Sequence, residues 1–339
     1  MATWIGRDQV TMFFDPRAEP VAEVAAGERV VAETADSLCG LVKREAPKGF
    51  AIGDVLDRLG GACPVTGPIY VRGAKPGGVL EVHVERVTAT PPEGTGWTGV
   101  FTGFGALTHE AYSLQEPLDP ATTLVPYDEA EARLDLGEGR IVRLPVRPFL
   151  GTAAVAPARE RRMSFSQSPD YLGDVDLPQL RGGAVLVLPV HVPGALLSVG
   201  DAHFAQGEGE CCGTAIEIAA EVALRVSLRR RGDGGWTPTF PAIEFAEPPA
   251  PAARPCFMTM GVPLADDGAN ADLDLTLAAR RALLELIGWL EAERGLSREQ
   301  AYVLASVAAD LRVAEAVNRP NGLVVCRLPL DVFEDAASA

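Results

Sequence analysis

Asp201 and His203 stand two residues apart at the end of an apolar run, and Glu208, Glu210 and Glu217 follow within the segment "SVGDAHFAQGEGECCGTAIE", residues 198–217. Carboxylates and an imidazole converging in this way suit a divalent ion with about three protein ligands and one position left for water. Such an ion polarises a carbonyl and acidifies the bound water. The glycines at 200, 207, 209 and 213 allow the backbone to bend the groups together. An exposed acidic turn at "QGEGE" accounts for the same spacing, and one Asp-x-His leaves both readings open. A second pair, Asp174 and Asp176 in "LGDVD", sits just before a strand, where Asp–Gly clusters are more often turns than sites.

The remaining reactive residues read more blandly. Cys211 and Cys212 are adjacent; a cysteine amidase needs an activating base and often a lysine. Only Lys43, Lys48 and Lys75 are available, and no Glu–Lys–Cys arrangement is evident. Both cysteines read as small packing residues. His83, on the polar face of a strand, and His109, in a loop, read as surface or supporting residues. His191 lies in an apolar strand and reads as a hydrogen-bonded wall residue, a candidate for contact with substrate. There is no GxxxxGK[ST] loop, no GxGxxG opening a helix and no GxSxG elbow, which weighs against nucleotide, dinucleotide and serine-hydrolase chemistry.

The elements that must position these groups are mostly strands. "GERVVAET" has a strand core at 29–34, and "GPIYVRGAKPGGVLEVHVERV" predicts two strands around a Lys75-Pro76-Gly77-Gly78 turn. In the second of these, Leu80, Val82 and Val84 fall on one face and Glu81, His83 and Glu85 on the other. Residues 9–90 as a whole read as short strands, and 91–140 as loop-rich. "AVLVLPVHV" (184–192) predicts a buried strand. "GTAIEIAAEVALRVSL" (213–228) predicts one long strand with Ile216, Ile218, Val222, Leu224, Val226 and Leu228 inward, so that Glu217 points away from the packed side. A Pro/Ala link, 246–256, precedes a change of pattern: a helix in "TLAARRALLELIGWLEAERG" ended by Gly295, and a second, 297–317, opened by a Ser297/Gln300 capping box. "GLVVCRLPL" is a last short strand.

The 339-residue chain is 47% hydrophobic and 22% charged with net charge −16. No basic stripe offsets the acidity, so nucleic acid is a poor partner. No apolar stretch is long enough to span a membrane. The six scattered cysteines have no CxxC spacing, and a chain this large needs no disulfide staples; together with a start that lacks a leader pattern, this predicts a reducing, cytoplasmic setting.

Several segments resemble the acetamidase/formamidase family. "CPVTGPIYVRGAKPGGVLEV" (63–82) is similar to its "HPVTGPVYVEGAEPGDVL" region, "PFLGTAAVAP" (148–157) to its "PFxGxxGVAP" segment, and residues 188–217 to its central block containing "GDxH", "GxGE" and a closing "GTxxE". The tail at 297–317 resembles its "AYxLxSxxxDLxVxQxV" helix. The resemblance runs in order over nearly the whole chain. It implies hydrolysis of a short linear amide, of the formamide or acetamide type, to ammonia and a carboxylate. It also implies a metal-dependent, cytoplasmic homo-oligomer, a dimer or higher. The metal would be a divalent ion, with zinc favoured and calcium possible because the donors are rich in carboxylates.

Matched position by position, the resemblance places Asp176, Asp201 and His203 as metal ligands, with Glu217 and Glu210 for acid/base work or ligation. Cys63 stands where the family has His, and Asp174 where it has Asn; with His191 they form the expected substrate-binding set. The expected fold is α+β and predominantly β. A β-sandwich (jelly-roll-like) body carrying the site occupies 1–245, with a smaller β region, and the Pro-rich link leads into a C-terminal α/β part with two helices at 246–339. A rival reading, prompted by Cys63, is an inactive or altered-specificity paralogue that binds on the same fold. A cysteine amidase using Cys211 or Cys212 is a third.

Overall fold

The computed structural model describes residues 2–45, 52–103, 105–107, 118–168, 170–229, 238, 240–246, 255–265, 267–317, 320 and 322–333. His109 and most of the Pro/Ala link lie outside the described residues.

Alternation of apolar and polar residues builds the first sheet. Its six strands run in the order Thr3–Ile5, Arg29–Thr34, Ala220–Arg229, Val79–Ala89, Val185–Pro189, Ala242–Glu244. Leu80, Val82 and Val84 are buried, as are Val222, Leu224 and Val226 on the neighbouring antiparallel strand. The opposite face carries ion pairs, Glu85 with Arg29 and Arg225 and Glu81 with Arg229, and His83 Nε2 lies 3.0 Å from Ser227 Oγ. A one-residue slip would bury this charged row, which fixes the register.

The larger sheet is a path Ile141–Pro145, Glu131–Asp135, Ala121–Tyr127, Gly94–Val100, Glu217–Ile218, Leu197–His203, Phe149–Ala154, Leu172–Asp174, Gln167–Ser168, with Val65–Arg72 also paired to Leu197–His203. A third sheet of Cys256–Gly261, Leu323–Pro329 and Asp310–Glu315 packs against the helix Leu275–Arg294. One continuous apolar cluster joins the two large sheets to this helix and to the next, Arg298–Ala308. No helix among the described residues is long and apolar enough to cross a membrane.

The structure departs from the periodicity in four places. The expected strand 213–228 is two: Glu217–Ile218 belongs to the larger sheet and Ala220–Arg229 to the smaller, with Ala219 between them. Strands at Gly94–Val100, Ala121–Tyr127 and Glu131–Asp135 occupy the stretch expected to be loop-rich. The signal of the first is hidden by glycine: a Cβ at Gly96 would lie 2.8 Å from Ile216 Cγ2 and 2.9 Å from the Glu217 carbonyl oxygen.

The second C-terminal helix stops at Ala308, and Asp310–Glu315 is a strand. Pairing with Leu323–Pro329 and the 2.6 Å Arg327–Asp310 ion pair override its helical spacing. Two helices, Leu41–Glu45 and Ile52–Leu59, lie where short strands were expected. Val55, Leu56 and Leu59 of the second pack into a separate apolar cluster with Trp97 and Phe101. The strands either side of the Lys75–Gly78 turn are real, but they lie in different sheets and form no hairpin.

Candidate active site

The strand Leu197–His203 is buried along its whole length. It pairs His203 with Phe149 on one side and with Glu217 on the other, while Thr152 of the Phe149 strand faces both Gly200 and Asp174. These registers bring residues distant in sequence to one end of the larger sheet. Four of them hold a left-handed backbone without being glycine: Cys63 at φ 52°, Asp176 at 46°, Asp201 at 54° and Glu210 at 36°. Such a conformation costs on the order of 1–3 kcal/mol per residue and persists where the surroundings over-determine it, typically at functional sites.

His203 is the centre of the cluster. Its Nε2 lies 3.3 Å from Glu217 Oε2, 3.6 Å from Asp201 Oδ1 and 3.9 Å from Asp176 Oδ1. Nδ1 is 2.8 Å from Gln206 Oε1 and 4.0 Å from Glu210 Oε1. Gln206 donates from Nε2 to the Asp176 carbonyl at 2.8 Å, which orients its amide and makes Nδ1 of His203 the donor. Nε2 is then the nitrogen that faces the carboxylates, carrying a proton toward them when the ring is charged and a lone pair when a cation takes that proton's place, as in a ligating histidine held by a supporting hydrogen bond. Both oxygens of Glu217 are anchored: Oε2 accepts from Ser37 Oγ at 2.7 Å and Oε1 from the Ala215 N–H at 3.0 Å. Ser37 is itself set by a turn in which Asp36 Oδ1 accepts from the N–H groups of Leu38 and Gly40.

Electrostatics make the site hungry for cations. Asp174, Asp176, Asp201, Glu210 and Glu217 share one cavity of about 260 Å³, and no lysine or arginine among the described residues lines it. Burial, then Asp201 and Glu217, push Asp176 up to about 7 despite the opposing pull of His203. Burial and Asp176 raise Glu210 well above the carboxylate range, and burial with Asp176 and Asp201 does the same to Asp174. Burial also works against the ionised form of Asp201, but the adjoining His203 outweighs it and holds this carboxyl low. Burial would lower His203, yet Glu217 and Asp201 raise it well above its ordinary value. The protons held here are those a divalent cation would replace.

The donor set fits such an ion. Asp176 Oδ1 and Asp201 Oδ1 are buried without a hydrogen-bond partner among the described residues, a state that is costly unless something else satisfies them. Two groups of potential ligands, Asp176/His203/Glu210 and Asp201/His203/Glu217, each have donor atoms within 4.8 Å of one another. Gly151 leaves the space, since a Cβ there would lie 2.5 Å from Asp176 Oδ1 and 2.8 Å from Asp201 Oδ2.

Cys63, Asp174, Asp176, Asp201, His203, Glu210 and Glu217 thus all line the cavity. His191 does not; it is half-buried beyond the end of Val185–Pro189, and its Nε2 is without a partner. Cys211 and Cys212 are buried in the main apolar cluster and do not line the cavity, and burial raises both thiols, which suits packing. Glu217, expected to point away from the packed side, is buried and faces His203.

Three residues escaped the sequence reading: Gln206, Ser37 and Trp97. Gln206, three residues after His203, carried a signal in its spacing; Ser37 carried none. Trp97 is paired in register with Glu217, and its buried Nε1–H has no acceptor among the described residues. With Leu38, Leu56, Ala62, Phe101 and Phe165 it forms the apolar wall opposite the carboxylates.

Relatives share this layout of chain. A putative formamidase of Schizosaccharomyces pombe is 27% identical over 94% of this chain and 88% of its own length. An acetamidase of Mycolicibacterium smegmatis is 28% identical over 71% of each. Among solved structures, an acetamidase of Bacillus halodurans (28% identical, TM-score 0.61) covers 97% of both chains. A gamma lactamase of Delftia acidovorans has the same fold (TM-score 0.83, 23% identical, 96% of this chain and 90% of that one). The model of the Acetamidase/Formamidase family matches residues 7–172 and 168–335, and the chain belongs to that family.

Proposed function

We propose that this enzyme hydrolyses a short linear amide, of the formamide or acetamide type, to ammonia and a carboxylate with the help of a divalent ion. The observation that carries the reading is the pair of buried oxygens without a hydrogen-bond partner among the described residues, Asp176 Oδ1 at 3.9 Å and Asp201 Oδ1 at 3.6 Å from His203 Nε2, in one small cavity. Asp176, Asp201 and His203 would hold the ion, with Glu217 completing the set. Bound there, a divalent ion supplies Lewis acidity toward the amide carbonyl and lowers the pKa of water. Zinc is the favoured ion, because imidazole suits it, and calcium remains compatible with the carboxylates.

The chain's own groups divide the remaining work. Glu217 is fixed at both oxygens and serves as ligand. Burial and Asp176 raise the proton affinity of Glu210, so in its ionised form it is the group suited to accept the proton of the attacking water and return it to the leaving nitrogen. Proton transfer of this kind contributes roughly 10²–10⁴-fold. The Trp97 N–H offers a donor for the substrate oxygen, and the apolar wall around Leu38, Phe101 and Phe165 suits a short alkyl or hydrogen acyl group while excluding bulk water.

The same reading extends to a cytoplasmic homo-oligomer, to a jelly-roll-like description of the β body at 1–245, and to a separate C-terminal part at 246–339. Cys39, Cys63, Cys211, Cys212 and Cys326 carry free thiols, as a reducing compartment would allow. The test is ammonia release from formamide and acetamide together with metal analysis, for the parent enzyme and His203→Ala. Loss of both metal and turnover is expected. Full activity in the variant would remove His203 from the mechanism, and turnover that survives complete chelation would remove the ion.

A further inference from the structure

Cys63, expected from the sequence to contact substrate, has no part in the metal-assisted reading above, yet it lines the same cavity. Its sulfur and one oxygen each of Asp174 and Asp201 lie within 4.8 Å of one another. Asp201 is shared with the His203/Glu217 group, so this second set adjoins the first. The backbone pins the thiol in place: Cys63 is held at φ 52°, and its N–H donates to the Ser37 carbonyl at 2.8 Å. Asp174 is pinned as well, accepting from Thr152 Oγ1 at 2.6 Å, and the same hydroxyl reaches toward Asp201 Oδ2 at 3.4 Å.

The fixed thiol faces several carboxylates, and no lysine or arginine among the described residues lines the cavity. A cation placed among Cys63, Asp174 and Asp201, whose donor atoms already lie within 4.8 Å of one another, turns each repulsion into ligation.

We propose that Cys63 is a thiolate ligand which, with Asp174 and Asp201, makes a position for a thiophilic divalent ion of the zinc and cadmium class beside the His203 position. This rests on the metal-assisted reading above and adds to it a choice of ion. An all-oxygen set at this place would admit magnesium or calcium; a sulfur donor selects zinc-like ions. Binding forms one metal–sulfur bond, and the thiol proton leaves to solvent.

The experiment uses the full-length protein stripped of metal and reloaded with cobalt(II). Expected are visible d–d bands from bound cobalt and, in addition, a near-ultraviolet sulfur-to-cobalt charge-transfer band. Cys63→Ser should lose the near-ultraviolet band and keep the d–d bands, while Cys212→Ser should keep both. Visible bands without the charge-transfer band in the unaltered protein would overturn the thiolate and leave the His203 site standing. Absence of both would overturn the two together. A charge-transfer band that survives in Cys63→Ser would assign the sulfur elsewhere and overturn the proposal.

A readout on the unaltered chain guards against misfolding of the variant. Iodoacetamide labelling of Cys63, located by peptide mass, should be lost on zinc loading. Equal labelling of stripped and loaded protein would also overturn the proposal.

Discussion

The side-chain oxygen of Gln206 accepts from His203 Nδ1 at 2.8 Å while its nitrogen donates to the carbonyl of Asp176 at the same distance. One amide therefore sets the direction of the imidazole and ties it to the segment carrying another expected ligand. No charge is spent on this, so Gln206 orients His203 without competing for the ion.

Gln206→Leu should consequently fold normally and bind the metal about 10–100-fold more weakly, the usual loss when a ligand's supporting hydrogen bond is removed. Chelator competition on the purified variant measures this directly. An unchanged affinity would reduce Gln206 to a packing residue.

The two glutamates should separate cleanly. Glu210→Gln is expected to keep its metal and lose roughly 10²–10⁴-fold in kcat, whereas Glu217→Gln should lose metal content first. The reverse pattern in paired metal analysis and ammonia assays would exchange their roles.

Gly151→Ala tests the empty volume at the site. Gly151 lies in the strand Phe149–Ala154 and is not at positive φ, so alanine suits the backbone there. The new methyl group would meet Asp176 Oδ1 and Asp201 Oδ2 within 2.8 Å. Metal content and activity should fall together while the circular dichroism spectrum is unchanged; a fully active variant would show that the two carboxylates can yield.

Replacing Cys211 and Cys212 together by alanine should leave turnover within a few-fold of the parent. The cost should appear as stability, of the order of 0.5–3 kcal/mol typical of buried substitutions. Abolished turnover in a folded double variant would revive a nucleophilic thiol.

Local composition carried much of this molecule but not its junctions. Alternation at Leu80–Glu85 was readable because one face of that strand meets ion pairs and the other the core. Glu217 was misplaced because the alternation rule assumes one sheet for one strand, and the chain changes sheets at Ala219. The strand at Gly94–Val100 was hidden because close approach to Ile216 and Glu217 demands glycine, which reads as loop. The approach of Asp174, Asp176, Glu210 and Cys63 to His203 followed from motif resemblance and not from spacing. Ser37 reaches Glu217 across 180 residues of sequence, a contact that no local pattern encodes.

The change of sheet at Ala219 has a mechanical meaning. Glu217 is anchored in one sheet, and three residues later the chain is a central strand of the other, with only Ala219 as slack. Relative sliding of the two sheets would pull on Glu217 almost without loss. Glu217 should therefore open together with the smaller sheet. Amide protons around Glu217 should exchange with solvent only as slowly as those at the middle of Ala220–Arg229, in the same cooperative opening event.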